Sequence, residues 1–202
     1  MKKKFYFFLV LGFFVLVIVG VLLWLGLSED TERVTPGVKF EAPKYYVIKD
    51  GPDGKIVENK HAGINLKAPA GWEVEKREIG PDEWIVNFNS PDLTTDEAGF
   101  LATGCGFSIW IEYDKTTADI VRNSIQDPEK YSASISGRYD VLGISGHQSL
   151  RTIFDKKGWG KIVGIEIPKG EMIYRLDTVF LPDEEGKCSE FFDKFLDNIF
   201  IY

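Results

Sequence analysis

The sequence predicts an α+β fold: one antiparallel sheet of about six strands sandwiched by helices, preceded by one transmembrane helix. Three observations carry this. Apolar residues alternate with polar ones at period two through most of the second half, the mark of strands with one face on a core. Two stretches, Thr116–Gln126 and Ser189–Phe200, switch to helical spacing. The chain also opens on a long run without charge.

That run extends from Phe5 to Leu27 and is built of Phe, Leu, Val, Ile, Trp and Gly. As a helix it would cover about 34 Å, slightly more than a hydrocarbon core. Lys2, Lys3 and Lys4 precede it, and Ser28, Glu29, Asp30 and Glu32 follow it. Because positive charge stays on the cytoplasmic side, residues 1–4 are expected inside and the rest of the chain outside. A cleaved signal peptide is the rival. Its apolar region is shorter and ends at a small-x-small site, whereas this run ends Leu25-Gly26-Leu27-Ser28 with neither that pattern nor a lipobox cysteine. The expectation is a single-pass protein of the cell membrane with an extracytoplasmic domain.

Residues 28–44 are polar, contain Pro36 and Pro43, and read as a juxtamembrane linker. The domain is placed at 45–202. Tyr45–Ile48 and Lys55–Val57 are expected to be strands flanking the Asp50-Gly51-Pro52-Asp53-Gly54 turn. Ile64 and Leu66, then Trp72 and Val74, then Trp84, Val86 and Phe88 mark three more strands. Phe107, Ile109, Ile111 and Tyr113 alternate with Ser108, Trp110 and Glu112. Leu150, Thr152 and Phe154 share a face, as do Val163, Ile165 and Ile167, and Met172, Tyr174, Leu176 and Phe180. Thr116 with Asp119 fits a capping box at the first helix. Phe192, Phe195, Leu196 and Ile199 form the stripe of the second.

Composition narrows the function. There are 24 basic residues against 31 acidic ones, and three of the basic ones precede the apolar run. Nucleic-acid binding depends on Lys and Arg displacing counterions from phosphates, so no nucleic-acid partner is expected. Cys105 and Cys188 lack the CxxC spacing of a zinc or redox site. Two alternatives stay open for them: a disulfide, permitted outside the cytoplasm, or two separate buried thiols. With His61 and His147 the only histidines, no metal site is expected, and no cofactor motif is present. Gly143-Ile144-Ser145-Gly146-His147 departs from a nucleophile elbow at its last position and reads as a turn. Asp50, Asp53 and Lys55 lack the calcium-loop pattern and read as hairpin residues. Asp183-Glu184-Glu185 reads as a solvated connection, with weak cation binding as its functional alternative.

Several local motifs occur in a familiar order. Ala62-Gly63-Ile64-Asn65-Leu66-Lys67-Ala68-Pro69-Ala70-Gly71-Trp72 resembles the opening of PsbP-like domains. Val86-Asn87-Phe88-Asn89-Ser90-Pro91 is similar to the stretch that follows there, and Ile144-Ser145-Gly146-His147 to their glycine turn. The Phe-rich segment Phe191–Phe200 matches the way such domains end. The resemblance covers His61–Tyr202 and implies an α-β-α sandwich that acts by binding. It extends to a fold shared by extrinsic photosystem II subunits, a Ran-binding protein and anchored bacterial envelope proteins. The chain departs from the photosynthetic members in its anchor and in a long Asp92–Thr103 loop. No binding residue is carried over, because the matching positions are turns and core.

Two functional classes are therefore expected to compete. The favoured one is a non-catalytic module that binds or helps assemble another envelope or membrane protein. Trp110, facing away from the core of its strand and either covered by a helix or open to a partner, and Trp159, between two glycines at a hairpin tip, are its candidate contact surface. The other is an envelope-polymer hydrolase with paired carboxylates drawn from loop acids such as Asp92, Asp96, Glu97 and Asp114.

Overall fold

The computed structural model describes residues 45–80, 83–129, 137–157 and 160–202. The expected membrane helix, the linker and Trp159 lie outside the described residues. Among the described residues, no helix is long and apolar enough to cross a membrane.

Strands β1 (Val47–Gly51), β2 (Gly54–Asn59) and β3 (Ile64–Lys67) join β13 (Ile199–Ile201) in a four-stranded sheet ordered β1-β2-β3-β13. A second sheet has seven strands, ordered β4-β5-β8-β12-β11-β10-β9. Its members are β4 (Glu73–Gly80), β5 (Glu83–Asn89), β8 (Gly106–Tyr113), β9 (Arg138–Ile144), β10 (His147–Lys156), β11 (Gly160–Lys169) and β12 (Met172–Phe180). All neighbours in both sheets run antiparallel.

The expectation of one sheet of about six strands is corrected here. The early strands do not join the larger sheet, because the end of the chain pairs with them instead. The second helix stops at Leu196, and Ile199 and Ile201 turn inward opposite Leu66 and Ile64 while Phe200 stays exposed. Three residues are too few for a period to emerge from sequence. The Asp92–Thr103 loop carries its own small hairpin, β6 (Thr94–Thr95) and β7 (Leu101–Thr103). Asp96 turns it back by accepting from the backbone N–H groups of Ala98 (2.9 Å) and Phe100 (2.8 Å).

The two helices lie on opposite faces of the seven-stranded sheet. Helix α2 (Glu185–Leu196) drives Phe192 and Phe195 into a core shared with Phe88, Phe107, Ile109, Ile165 and Leu176 of the large sheet. Val57, Ile64 and Leu66 of the small sheet complete that core. Helix α1 (Lys115–Gln126) covers the other face, where Val121 and Ile125 pack on Leu150. Its cap is Asp114, which accepts from the Thr116 N–H (2.9 Å) and the Thr117 hydroxyl (2.6 Å). The expected Thr116–Asp119 box does not form, because a better-placed carboxylate occupies the cap and Asp119 pairs with Arg122 within the helix.

Cys105, at the entry to β8, is bridged to Cys188 of α2 with their Cα atoms 5.4 Å apart. The β9–β10 connection is a two-residue turn with Ser145 at φ 50° and Gly146 at φ 79°. Both angles are those of a hairpin turn that matches strand twist, which is why glycine fits there. The Ser145 hydroxyl accepts from the Ile201 N–H at 2.8 Å, giving that serine a structural partner.

Candidate functional site

Strand β12 lies in the middle of the seven. A middle strand covered on both faces reads as a continuous apolar run. Here, instead, Met-Ile-Tyr-Arg-Leu-Asp-Thr-Val-Phe places Arg175 and Asp177 at alternate positions. Those charges belong to the face that carries α1, and the register shows what lies beside them. Arg77, Ile85, Trp110, Arg175, Glu166, Leu150 and Val141 stand opposite one another in turn across all seven strands. The adjacent row is Glu75, Asn87, Ser108, Asp177, Gly164, Thr152 and Tyr139.

Helix α1 packs across β10, β11 and β12 and buries Leu150 completely. Toward β4 the same rows emerge: Ile85, Asn87, Ser108 and Trp110 are half-buried, and Glu75 and Arg77 are exposed. Ser108 donates to Asn87 at 2.8 Å. This is a broad polar face with one indole near its centre.

Arg175 organises the middle of it. Its guanidinium meets Glu112 at 2.9 Å and Glu166 at 3.1 Å. Beside it opens a cleft of about 220 Å³ lined by Tyr139, Thr152, Phe154, Gly164, Glu166, Arg175 and Asp177. The Tyr139 and Phe154 rings meet edge to face, their centroids 6.4 Å apart. Gly164 forms the floor: a Cβ there would lie 3.0 Å from both the Asp177 carboxylate and the Thr152 hydroxyl.

The carboxylates in the cleft are costly. Asp177 keeps an exposed surface, yet partial loss of water around its carboxyl pushes it up to about 6, with Arg175 opposing the rise and Glu166 adding to it. Glu166 is also raised, first by burial and then by Glu112, against the pull of Arg175. One guanidinium thus serves three carboxylates, and the surplus is negative.

A second depression, of about 400 Å³, lies between the β9–β10 turn, the end of α2 and β13. Its Arg151 is taken up by Asp140, at 2.8 Å from Nε and again through the second guanidinium nitrogen. Phe200, on its rim, is 58 % exposed. Asp193 and Asp197 also line it, but none of its lining residues belongs to the rows that hold Trp110 and Arg175, so the cleft beside Arg175 is the better candidate.

The acids singled out from sequence do not converge. Asp92 accepts from the Ser90 hydroxyl at 2.6 Å and pairs with Lys187, which hold its carboxyl down to about 2. Asp96 shapes its own turn, Asp114 caps α1, and Glu97 is exposed. Asp50 and Asp53 pair with Lys55 and Lys67 around the first hairpin. His61 is exposed and stacks on Tyr45 at 4.2 Å. Among the described residues, no three His, Cys, Asp or Glu side chains gather to hold a metal. Trp110 does lie on the candidate face, directly opposite Arg175 and Ile85. Sequence reasoning passed over Arg175, Glu166 and Asp177, although charge at the off-core positions of two long apolar strands was the available signal.

No protein-family model and no curated protein matches the sequence. Solved structures do resemble it. A Bacteroides thetaiotaomicron protein aligns with TM-score 0.43 and 13% identity over 69% of this chain and 45% of that one. The chain therefore spans less than half the length of that protein. A Pseudomonas aeruginosa protein of unknown function aligns with TM-score 0.38 and 10% identity, over 76% of this chain and 94% of its own. The solution structure of cyanobacterial PsbP from Synechocystis sp. PCC 6803 aligns with TM-score 0.50 and 11% identity, over 76% of this chain and 98% of that one. At that identity the likeness concerns architecture alone: the fold is PsbP-like.

Proposed function

We propose that this chain is a membrane-tethered, non-catalytic extracytoplasmic module that binds or helps assemble another envelope or membrane protein. The observation that carries the reading is the half-covered polar face of the seven-stranded sheet, with Trp110 beside Arg175 in one cross-strand row. Tryptophan and arginine are among the residue types enriched at contact hot spots. The tether rests on the charge-free Phe5–Leu27 run and its lysine-rich flank. The Cys105–Cys188 bridge suits an oxidising compartment.

The test is photocrosslinking in cells from a benzoylphenylalanine placed at position 110 of the full-length chain. A discrete protein adduct is expected, and Ile85→Asp on the same row should abolish it. Absence of any adduct from position 110, with adducts instead from the Asp50–Lys55 hairpin, would overturn the choice of face.

One observation favours a second reading. Glu166 and Asp177 share a cleft, and Asp177 is pushed up to about 6, as the acid of a carboxylate pair requires. On that reading the domain is an envelope-polymer hydrolase with paired carboxylates. Release of soluble fragments from purified cell-wall polymer, lost on Asp177→Asn, would favour it over the module.

A further inference from the structure

We infer that the cleft beside Arg175 is the receptor for a single basic side chain, lysine or arginine, presented by the protein partner. This rests on the docking face argued above and names the chemistry of its anchor.

Three features select the occupant. The first is charge: Arg175 is already engaged by Glu112 and Glu166, so Asp177 faces the cleft with only a share of a cation that others hold. An incoming ammonium or guanidinium meets unspent carboxylate there, while an incoming carboxylate meets repulsion. The second is the wall. Tyr139 and Phe154 offer ring surface to the alkyl stem and the charged head of such a side chain. The third is size. At about 220 Å³ the cleft falls below the roughly 300–1,000 Å³ of sites that enclose a small-molecule ligand, and suits one side chain. A bare metal ion fits less well, since no group of three ligating side chains forms among the described residues. The cleft opens on the same face as Trp110, so a partner lying on the indole can reach it.

Gly164 and Thr152 keep the cleft open. The Thr152 hydroxyl donates to the Gly164 carbonyl at 3.3 Å, and this residue, which carries one methyl group, lines the cleft. That methyl is a reporter of occupancy.

The experiment uses the full-length chain in lipid nanodiscs with threonine methyl groups labelled for NMR. Ac-Gly-Arg-Gly-NH2 and Ac-Gly-Lys-Gly-NH2 are titrated in, with the norleucine and glutamate tripeptides alongside. The basic peptides should shift the Thr152 methyl signal at concentrations at least about tenfold lower than norleucine does, and glutamate should not shift it. Glu166→Gln with Asp177→Asn should weaken the basic peptides by at least about tenfold. Glu97→Gln with Asp183→Asn, two exposed acids elsewhere, should leave binding unchanged while removing the same charge. Retained dispersion of the other threonine signals shows that each variant is folded. The inference is overturned if norleucine binds as well as the basic peptides, if both carboxylate pairs behave alike, or if Thr152 never moves. If crosslinking from position 110 still gives a partner in that event, the docking face stands and only its basic anchor is wrong.

Discussion

At the scale of single residues, two aspartates show how one side-chain type acquires opposite roles. Asp177 lines a cleft that takes part of the water from its carboxyl; Asp92 accepts from a lysine and a hydroxyl on the surface. Their contributions to stability therefore run in opposite directions with pH. The folded Asp177 carboxyl titrates near 6, above its ordinary 3.8, so the folded state binds protons more tightly between those values. Its contribution falls as pH rises through that window, and the penalty is fully present at pH 7. Solvent still reaches this side chain, so Asp177→Asn should stabilise the protein by only about 1 kcal/mol at pH 7 and by nothing near pH 3. Asp92, held down to about 2, contributes stability above 3.8 that is lost as pH falls toward 2. Asp92→Asn should therefore be destabilising at pH 7, with the effect shrinking toward zero as pH falls through 2. Urea denaturation of both variants across that range checks the pair; parallel curves would refute the assignment of opposite signs.

At the scale of elements, what sequence discloses depends on whether a pattern has room to repeat. Strands β8, β11 and β12 were legible because eight or more residues alternate, and their inward sets match the buried ones. Leu150, Thr152 and Phe154 share a face as expected, but that face lies under α1, whereas Ser149, Arg151 and Ile153 turn to the other side. Periodicity reports a common face and is silent on which layer covers it. The same limit hid the site: Glu166 and Asp177 look like ordinary solvent-side residues until the register sets them beside Arg175. Helix α1 makes this point energetically. Its start rests on Asp114, one residue outside the helix, rather than on the box formed by the more familiar spacing. Removing that carboxylate by Asp114→Ala leaves the Thr116 N–H without its cap and should cost about 1 kcal/mol. Amide exchange in residues 115–118 should then accelerate while α2 is unaffected; unchanged exchange would mean that the cap is held elsewhere.

At the scale of the whole molecule, the end of the chain decides the architecture. Helix α2 covers the core face of the large sheet, and β13 immediately after it closes the small sheet, so both layers depend on where α2 sits. Sequence could offer Cys105 and Cys188 only as bridged or separate, since nothing in spacing alone places two Cα atoms 5.4 Å apart. The bridge fastens α2 to the entry of β8, a strand near the centre of the large sheet, across a separation of 83 residues. Closing a loop of that length restricts the unfolded chain by about 4 kcal/mol in the chain-entropy view. It also opposes release of α2 together with β13, because the anchored end lies at the start of the helix. Replacing both cysteines by alanine should lower the unfolding free energy by about 3–4 kcal/mol. The loss should fall unevenly: protection of β3 and β13 against amide exchange drops most, and the β10–β11 hairpin, far from the bridge in the strand order, drops least. Uniform loss across both sheets would mean that the bridge acts through the unfolded chain alone. Two free thiols in protein isolated from cells would remove the bridge and, with it, one support for a domain beyond the cytoplasm.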